Sequence, residues 1–280
     1  AYLRAIKVLK SINFKNQWES KKKIDGIGDK IKKKIKEIIK TGTLKNLVQM
    51  RKFGKIVSEL ATVMGIGSKF AQYLVKRDID SISKLKVAFK KGLIKLNRIQ
   101  RIGLKYHKDL IQKIPRNKMT KYQTILFDML KKGDMSHVKG EIMGSYIRQK
   151  DKSHDIDLVL TSKKWTSIKN INLKDIIKLL KENGYLVEVI NSGKTKGIFL
   201  VRLECGESII RQLDILAVPI QSYAFAKLYM SSGVVFSRKI RKIAKDQGYL
   251  LNQFGLFRGK KMIHCKTEKD IFKKLGIAYV

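Results

Sequence analysis

The chain has 280 residues, 44% of them hydrophobic, which suits one or more folded domains and excludes an intrinsically disordered protein. It carries 62 Lys and Arg against 23 Asp and Glu, a net charge of +39, which favours a polyanionic partner: nucleic acid first, an anionic membrane surface second. No apolar run of about 18 residues is present, so no membrane span is expected. The 2 cysteines and 4 histidines show no disulfide or metal-binding spacing, which predicts a reducing, intracellular compartment.

The first half of the chain is predicted to be helical, and the second half to mix strands and helices. Residues 2–11 have the pattern of an amphipathic helix, and a second helix covers residues 31–40. Further along, residues 174–183 are predicted to form a helix and residues 187–201 two strands joined by a turn at 191–193. A basic helix is expected at residues 235–248.

Two segments in the helical half repeat the pattern apolar-x-Gly-Ile-Gly-x-Lys directly before a helix. Each looks like a helix–hairpin–helix motif, in which glycines permit a tight turn and free N–H groups of the next helix face a phosphate. A single Gly-x-Gly is often only a helix connection, but two copies in a strongly basic chain favour binding to the DNA backbone. The residues concerned are Gly26, Gly28, Lys30, Gly65, Gly67 and Lys69.

Lys34 follows Lys30 by one helical turn, at the edge of an apolar stripe that contains Ile31 and Ile35. Partial desolvation and the neighbouring lysines favour the neutral amine, which can attack an aldehyde and form a Schiff base. A lysine within a run of lysines is more simply a solvated helix face. The residues alone leave both interpretations open.

The segment from Gly144 to Leu160, GSYIRQKDKSHDIDLVL, contains the residues most typical of catalysis. Its last seven residues, from His154, are predicted to form a strand with Asp155 and Asp157 on one face. Two carboxylates on one face repel each other unless cations neutralise them, and they are a common way to hold Mg²⁺. An Asp-x-Asp pair alone is weak, because solvated acids alternate on many strands.

The residues around this acidic pair make a metal site more specific. The turn at Gly144 and Ser145 lets backbone N–H groups and a hydroxyl approach phosphate oxygens, and Arg148 follows at a suitable distance. A third acid, Asp214, lies in a strand-like run at residues 209–216. Three aspartates could hold two metal ions that clamp the attacking and leaving oxygens of a phosphoryl transfer.

This combination resembles the nucleotidyltransferase superfamily that includes the family X, or beta-like, DNA polymerases. The resemblance covers nearly the whole chain. Besides the segments above, it extends to residues 100–106, 113–116, 228–229, 236–241, 250–252 and 267–272.

The resemblance implies an α+β fold with a helical N-terminal lyase and helix–hairpin–helix region, a nucleotidyltransferase palm with a mixed β-sheet, and a small C-terminal α/β lobe. The expected domains are a lyase-like domain at residues 1–50, a DNA-binding helical subdomain at 51–112, the catalytic palm at 113–220 and a nucleotide-selection subdomain at 221–280.

By the same resemblance, the chain is expected to be a DNA-directed DNA polymerase that fills short gaps in base excision repair. Lys34 corresponds to the Schiff-base lysine of a 5′-deoxyribose phosphate lyase, and Asp155, Asp157 and Asp214 correspond to the metal ligands. The residues expected at the nucleotide are Gly144, Ser145, Arg148, His154, Tyr229, Gly233 and Ser237. The remaining residues expected at DNA, besides the two glycine turns and their lysines, are Arg238, Arg241 and Asn252.

Several positions depart from the family pattern. His154 stands where the family has a glycine facing the triphosphate, and residues 230–233 replace the usual sugar-side turn. Val234 and Ser237 replace an aspartate and an asparagine that contact the nucleotide. Lys33 replaces a glutamate of the lyase site, and Gln212 replaces an arginine just before the third aspartate.

The resemblance further implies two Mg²⁺ ions, with Mn²⁺ as a substitute, and a monovalent cation at the helix–hairpin–helix motifs. Gapped or nicked DNA and dNTPs are the expected partners of a monomer, with functional links to a DNA ligase and an AP endonuclease and no link to a membrane. The expected location is the nucleus or the cytoplasmic factory of a large DNA virus. The alternatives are a template-independent terminal nucleotidyltransferase and a non-catalytic DNA end-binding protein.

Overall fold

The computed structural model describes residues 2–11, 24–25, 27–132, 135–204, 206 and 208–279. The chain divides into two compact units, residues 1–100 and residues 101–280. In these described ranges, no helix combines the length and apolar character needed to cross a membrane. The finer division into four domains stays a prediction.

The first unit is helical, as predicted. A stripe of isoleucines forms the apolar face of α2, and Ile35 packs there with Ala5 of α1 and with Ile27. The helix ends at Gly42, whose φ of +71° suits glycine and whose N–H donates to the Ile38 carbonyl. The helices that begin in this unit are α1 (Tyr2–Ser11), α2 (Asp29–Thr41), α3 (Lys45–Leu60), α4 (Ser68–Val75), α5 (Ile82–Lys90) and α6 (Arg98–Lys105).

The second unit contains strands and the remaining helices. The helices are α7 (His107–Leu110), α8 (Arg116–Lys132), α9 (Gly144–Ile147), α10 (Leu173–Glu182), α11 (Tyr223–Ser231), α12 (Val234–Asp246) and α13 (Glu268–Lys274). The strands are β1 (Ile114–Pro115), β2 (Val138–Ile142), β3 (Lys152–Ser153), β4 (Ile156–Ser162), β5 (Leu186–Ser192), β6 (Lys196–Val201), β7 (Arg211–Pro219), β8 (Leu250–Asn252), β9 (Gly255–Arg258) and β10 (Lys261–Ile263).

A five-stranded sheet with the order β2-β4-β7-β6-β5 organises the second unit. Strand β7 pairs in parallel with β4 and antiparallel with β6, so the sheet is mixed. The predicted α+β fold class is therefore confirmed. The predicted strand at residues 154–160 begins two residues later, at Ile156, and the predicted turn lies after Ser192 rather than at 191–193.

The two faces of this sheet differ, and the difference positions the acidic residues. Ile156, Leu158 and Leu160 belong to the large core that the sheet shares with residues of α8 and α10. On the opposite face, Val159 packs near Ala226 of α11. Because side chains alternate along a strand, Asp157 shares the face of Val159 and not the face of the large core.

The C-terminal lobe has its own core, in which α12 and α13 pack against the sheet of β8, β9 and β10. Helix α13 starts with a capping box, since Thr267 and Asp270 bond reciprocally to each other's backbone N–H. The basic helix predicted at residues 235–248 is present as α12, one residue earlier at its start and two earlier at its end.

Candidate active site

The central pair of the site is Asp157 on β4 and Asp214 on β7. The two residues are direct partners in the parallel register of these neighbouring strands. Direct partners in a sheet point to the same face, so both carboxylates project from the face opposite α8 and α10. Asp155 lies just before β4, two residues from Asp157, and is half-buried.

Burial and mutual repulsion perturb these carboxyl groups. Burial raises the pKa of Asp157 to about 7, with Asp155 and Asp214 adding repulsion and Arg148 opposing the rise. Burial also raises the pKa of Asp214, and Asp155 contributes again. The fold therefore holds three acids close together at an energetic cost, which a bound cation would offset.

Lys196 is a member of this site that the sequence did not reveal. It lies at the start of β6, and its charge lowers the pKa of both Asp157 and Asp214. Its position depends on the pairing of β6 with β7, for which no local pattern exists.

Gln212 has a direct contact with the third acid. Its Nε2 donates to Asp214 Oδ1 at 2.8 Å, which opposes the rise in the Asp214 pKa. The residue stands two positions before Asp214 on the same strand, so both side chains share a face. That spacing was a usable signal in the sequence, where Gln212 was noted only as a departure from the family pattern.

Gly144 is fitted closely to Asp157. It opens α9 with a φ of +59°, and a Cβ at this position would overlap the Asp157 carboxylate. The Met143 N–H also donates to the Asp157 carbonyl at 2.7 Å. Glycine is therefore required at this position for two reasons, namely the positive φ of its backbone and the closeness of the Asp157 carboxylate.

The donor set suits a hard divalent cation such as Mg²⁺, since all three side chains offer carboxylate oxygens. In the part of the chain that the structure describes, no three His, Cys, Asp or Glu side chains converge into a complete ion-binding group. Asp214 Oδ1 is directed to Gln212 instead. Metal binding at the three aspartates stays a prediction.

The predicted phosphate contacts lie beside the acids. Ser145 Oγ donates to Ser153 Oγ at 2.7 Å, which ties α9 to β3. Arg148 Nη1 donates to the carbonyl of Ser231 at 2.7 Å, at the last residue of α11. His154 is exposed immediately before Asp155. Arg148 and Gly233 line the same cavity.

Four residues predicted at the nucleotide or DNA line one further cavity: Tyr229, Ser237, Arg241 and Asn252. Ser237 fixes Arg241, because its carbonyl accepts from Arg241 Nε at 2.9 Å and its Oγ accepts from Nη2 at 3.0 Å. The Arg241 guanidinium lies 5.9 Å from the centre of the Tyr229 ring. Asn252 Oδ1 accepts from backbone N–H groups of the β8–β9 turn, and Arg238 is exposed on α12.

The two predicted glycine turns of the first unit have closely similar geometry. Gly28 and Gly67 precede α2 and α4 with φ, ψ of −76°, 168° and −84°, 169°, and neither helix start has a side-chain cap. The isoleucine between each pair of glycines is buried. Lys30 and Lys69 are exposed, while Gly26 lies outside the described residues.

Gln100 supports the second of these turns, a role that the sequence did not reveal. Its Nε2 donates to the carbonyl of Gly65 at 3.2 Å, and its Oε1 accepts from the N–H of Asn97. Gly65 has a φ of +82°, and a Cβ there would lie 2.9 Å from the Ile99 side chain. The glycine and the glutamine together set the turn against the start of α6.

Lys34 lies on α2 beside Ile35, whose side chain is buried, and it is itself half-buried. This agrees with its expected place at the edge of the isoleucine stripe. Its role in lyase chemistry stays a prediction.

Comparison with known protein families identifies three regions in succession. Residues 58–111 match the fingers domain of DNA polymerase lambda, residues 113–220 the DNA polymerase beta palm, and residues 226–280 the DNA polymerase beta thumb. The acids and Gly144 lie within the palm match, whereas Tyr229 and Arg241 lie within the thumb match.

Individual relatives agree with these matches. The chain is 26% identical to DNA polymerase lambda of Rattus norvegicus over 99% of this chain and 50% of that protein. It is 28% identical to DNA polymerase lambda of Arabidopsis thaliana over 100% of this chain and 56% of that protein. It is 24% identical to DNA nucleotidylexotransferase of Xenopus laevis, covering 62% of that protein.

The chain thus spans about half to three-fifths of the length of these relatives. Palm, thumb and fingers matches follow one another along most of the sequence, and the palm match contains the paired aspartates. The chain belongs to the family X, or beta-like, DNA polymerases.

Proposed function

We propose that this protein is a DNA-directed DNA polymerase that fills short gaps during base excision repair. The observation that carries the proposal is the direct pairing of Asp157 with Asp214, with Asp155 beside them. Two paired acids on one sheet face and a third just before the strand, next to a glycine turn and an arginine, suit metal-assisted nucleotidyl transfer. The membership in family X agrees with this chemistry.

Asp155, Asp157 and Asp214 would hold two Mg²⁺ ions, with Mn²⁺ able to replace them. The bound ions supply Lewis-acid polarisation of the phosphoryl oxygens and of the attacking hydroxyl. The raised pKa values of Asp157 and Asp214 also support a cation site here, because the fold leaves the charges of these two carboxylates poorly compensated.

The protein's own groups bind and orient the substrates. Ser145 and the neighbouring backbone N–H groups bind the triphosphate of a dNTP, and Arg148 exchanges the Ser231 carbonyl for phosphate oxygens. Tyr229 and Arg241 face the sugar and the nascent base pair. As the primer 3′-hydroxyl bonds to the α-phosphorus and pyrophosphate leaves, Asp214 is the proposed acceptor of the hydroxyl proton.

The direct test uses a duplex with a one-nucleotide gap, Mg²⁺ and the four dNTPs. We expect insertion of the nucleotide complementary to the template, with no insertion when EDTA replaces Mg²⁺. Tight DNA binding without any incorporation would instead support the non-catalytic end-binding alternative.

A terminal nucleotidyltransferase is the second candidate, favoured by the similarity to DNA nucleotidylexotransferase. It would use the same three acids, so the site does not separate the two activities. Changing the template base opposite the gap separates them. A product that follows the template supports the polymerase, and the same product mixture on every template supports the transferase.

We also propose that Lys34 excises the 5′-deoxyribose phosphate through a Schiff base. Its half-buried position beside Ile35 supports this, because the amine lies at the edge of an apolar surface rather than fully in solvent. The matched family regions begin at residue 58 and so do not include Lys34. The proposal therefore depends on the glycine turn before α2 and on the lysines around it.

Lys34→Ala is expected to abolish covalent trapping of the chain on 5′-deoxyribose phosphate DNA by borohydride, because alanine has no amine to form the Schiff base. Gel analysis of the adduct measures this. Lys36→Ala, at an exposed lysine of the same helix, should still trap. If Lys34→Ala is trapped as well as the unaltered chain, another amine forms the adduct. Gap filling should continue in both variants.

Gln100→Glu is expected to weaken binding to gapped DNA about 3- to 10-fold. The change keeps the acceptor for Asn97 but replaces the donor to the Gly65 carbonyl with an oxygen that repels it, which loosens the glycine turn. Fluorescence anisotropy measures the affinity. Asn97→Asp adds the same negative charge and keeps the acceptor for the Gln100 N–H. An equal loss of DNA affinity in that variant would show that the added charge, and not the lost hydrogen bond to Gly65, causes the effect.

The remaining expectations complete the proposal. The protein acts as a monomer on gapped or nicked DNA, with a monovalent cation at the glycine turns. A DNA ligase and an AP endonuclease act after and before it, since they join the filled nick and open the abasic site. The proposed place of action is the nucleus or a cytoplasmic viral factory.

A further inference from the structure

One exposed surface outside the active site follows α4 and continues into the turn after it. It is made of Lys69, Tyr73, Lys76 and Arg77, and we name it the α4 stripe. All four side chains are exposed, and Tyr73 is 41% exposed despite its large ring. The opposite side of the helix is buried through Ala71 and Leu74. The stripe is therefore not used for packing within the first unit.

The aromatic ring in the stripe holds a cation in place. The Arg77 guanidinium lies 4.7 Å from the centre of the Tyr73 ring, a cation–π contact. Phe70 stacks on the same ring, with 5.6 Å between ring centres and 27° between their planes. Arg77 is thus pre-oriented, and it would lose less conformational freedom on binding a ligand than an unrestrained side chain.

The charge of the stripe selects the ligand. Residues 68–77 contain three cationic side chains and no acid, and the next acid, Asp78, lies in the turn after the helix. Lys69 lies two residues after Gly67, at the turn proposed to bind a DNA backbone. From Lys69 to the end of α4 at Val75 the helical rise of about 1.5 Å per residue gives about 9 Å, and Lys76 and Arg77 extend the stripe into the turn. The stripe therefore covers the axial length of roughly three phosphates of one strand.

We propose that the α4 stripe binds successive phosphates of the same DNA strand that docks at the Gly65–Gly67 turn, with Tyr73 acting as a positioning residue for Arg77. The proposal rests on the proposed function insofar as the turn binds DNA. It adds a row of contacts beyond the glycine turn and assigns a role to an aromatic pair that helix–hairpin–helix geometry does not require.

The test measures the affinity of the full chain for fluorescein-labelled gapped duplex between about 50 and about 200 mM KCl. Arg77→Gln is expected to raise the Kd about 5- to 10-fold near physiological salt and to reduce the salt slope by about 1. Tyr73→Leu removes no charge but should raise the Kd about 3-fold. The double variant should bind about as well as Arg77→Gln alone, because Tyr73 acts through Arg77.

Lys86→Gln, at an exposed lysine of α5, is the matched loss of one charge and should change the Kd less than 2-fold. Equal effects of Lys86→Gln and Arg77→Gln, or additive effects of Tyr73→Leu and Arg77→Gln, would overturn the α4 stripe while leaving the polymerase proposal intact. Failure of the unaltered chain to bind DNA would overturn both. Thermal unfolding verifies that each variant is folded.

Discussion

Asp157→Asn is expected to reduce Mg²⁺-dependent gap filling by at least about 1,000-fold, because the amide removes one charge from a site that needs three carboxylates. Asparagine has nearly the same shape, so it still fits beside Gly144 and preserves the pairing of β4 with β7. Single-turnover incorporation opposite a one-nucleotide gap is the appropriate measurement. Affinity for the gapped duplex, measured in parallel, should change little.

The same substitution should stabilise the protein in the absence of metal. The pKa of Asp157 is raised to about 7 in the folded chain, so its ionisation disfavours folding. That penalty is absent below about pH 4, grows as the pH rises towards about 7, and is then constant. In EDTA, Asp157→Asn should therefore melt several degrees higher than the unaltered chain at about pH 8, and hardly higher at about pH 4.

Added Mg²⁺ should reverse this order, because the ion stabilises the unaltered chain more than the variant. Asp151→Asn serves as the control, since that acid is exposed and should affect neither activity nor the pH dependence of unfolding. A stability gain for Asp157→Asn that is the same at all pH values would show that carboxylate repulsion is not its cause.

Gly144→Ala is expected to lower gap filling by about 100-fold or more and to destabilise the second unit by about 2 to 4 kcal/mol. The new Cβ would overlap the Asp157 carboxylate and also impose strain at a φ of +59°. The carboxylate must move, and the start of α9 moves with it. Incorporation kinetics and thermal unfolding measure the two effects.

Gly259→Ala is the control that separates steric overlap with a carboxylate from backbone strain at a positive φ. Gly259 has a φ of +58°, nearly that of Gly144, but a Cβ there would meet nothing within 4 Å. It should therefore cost only the strain, about 1 kcal/mol, with activity nearly unchanged. Similar losses in both variants would show that backbone conformation alone, and not the contact with Asp157, explains Gly144.

The sequence was most informative where the signal is local. Alternation along a strand predicted the face that Asp157 occupies on β4, although Asp155 lies just before that strand, and the isoleucine spacing predicted α2. The repeated Gly-Ile-Gly pattern predicted two helix starts whose dihedral angles agree closely. In each case neighbouring residues determine the geometry, so a short window of sequence contains the necessary information.

The missed contacts depend on residues that are distant in sequence. The charge of Lys196 acts on the acids only because β6 pairs with β7, and Gln100 contacts Gly65 across 35 positions. The link from Arg148 to Ser231 spans 83 positions. No periodicity encodes such pairings, because they follow from the order of strands and the packing of helices rather than from local propensity.

The central position of β7 has a consequence for biosynthesis. Asp214 lies on a strand that inserts between β4 and β6, more than fifty residues after Asp157 along the chain. A ribosome therefore releases the basic helical unit, with both glycine turns, long before it releases the third acid. If the proposed function is correct, we expect a product that is truncated before residue 214 to retain the DNA-binding turns and to lack nucleotidyl transfer.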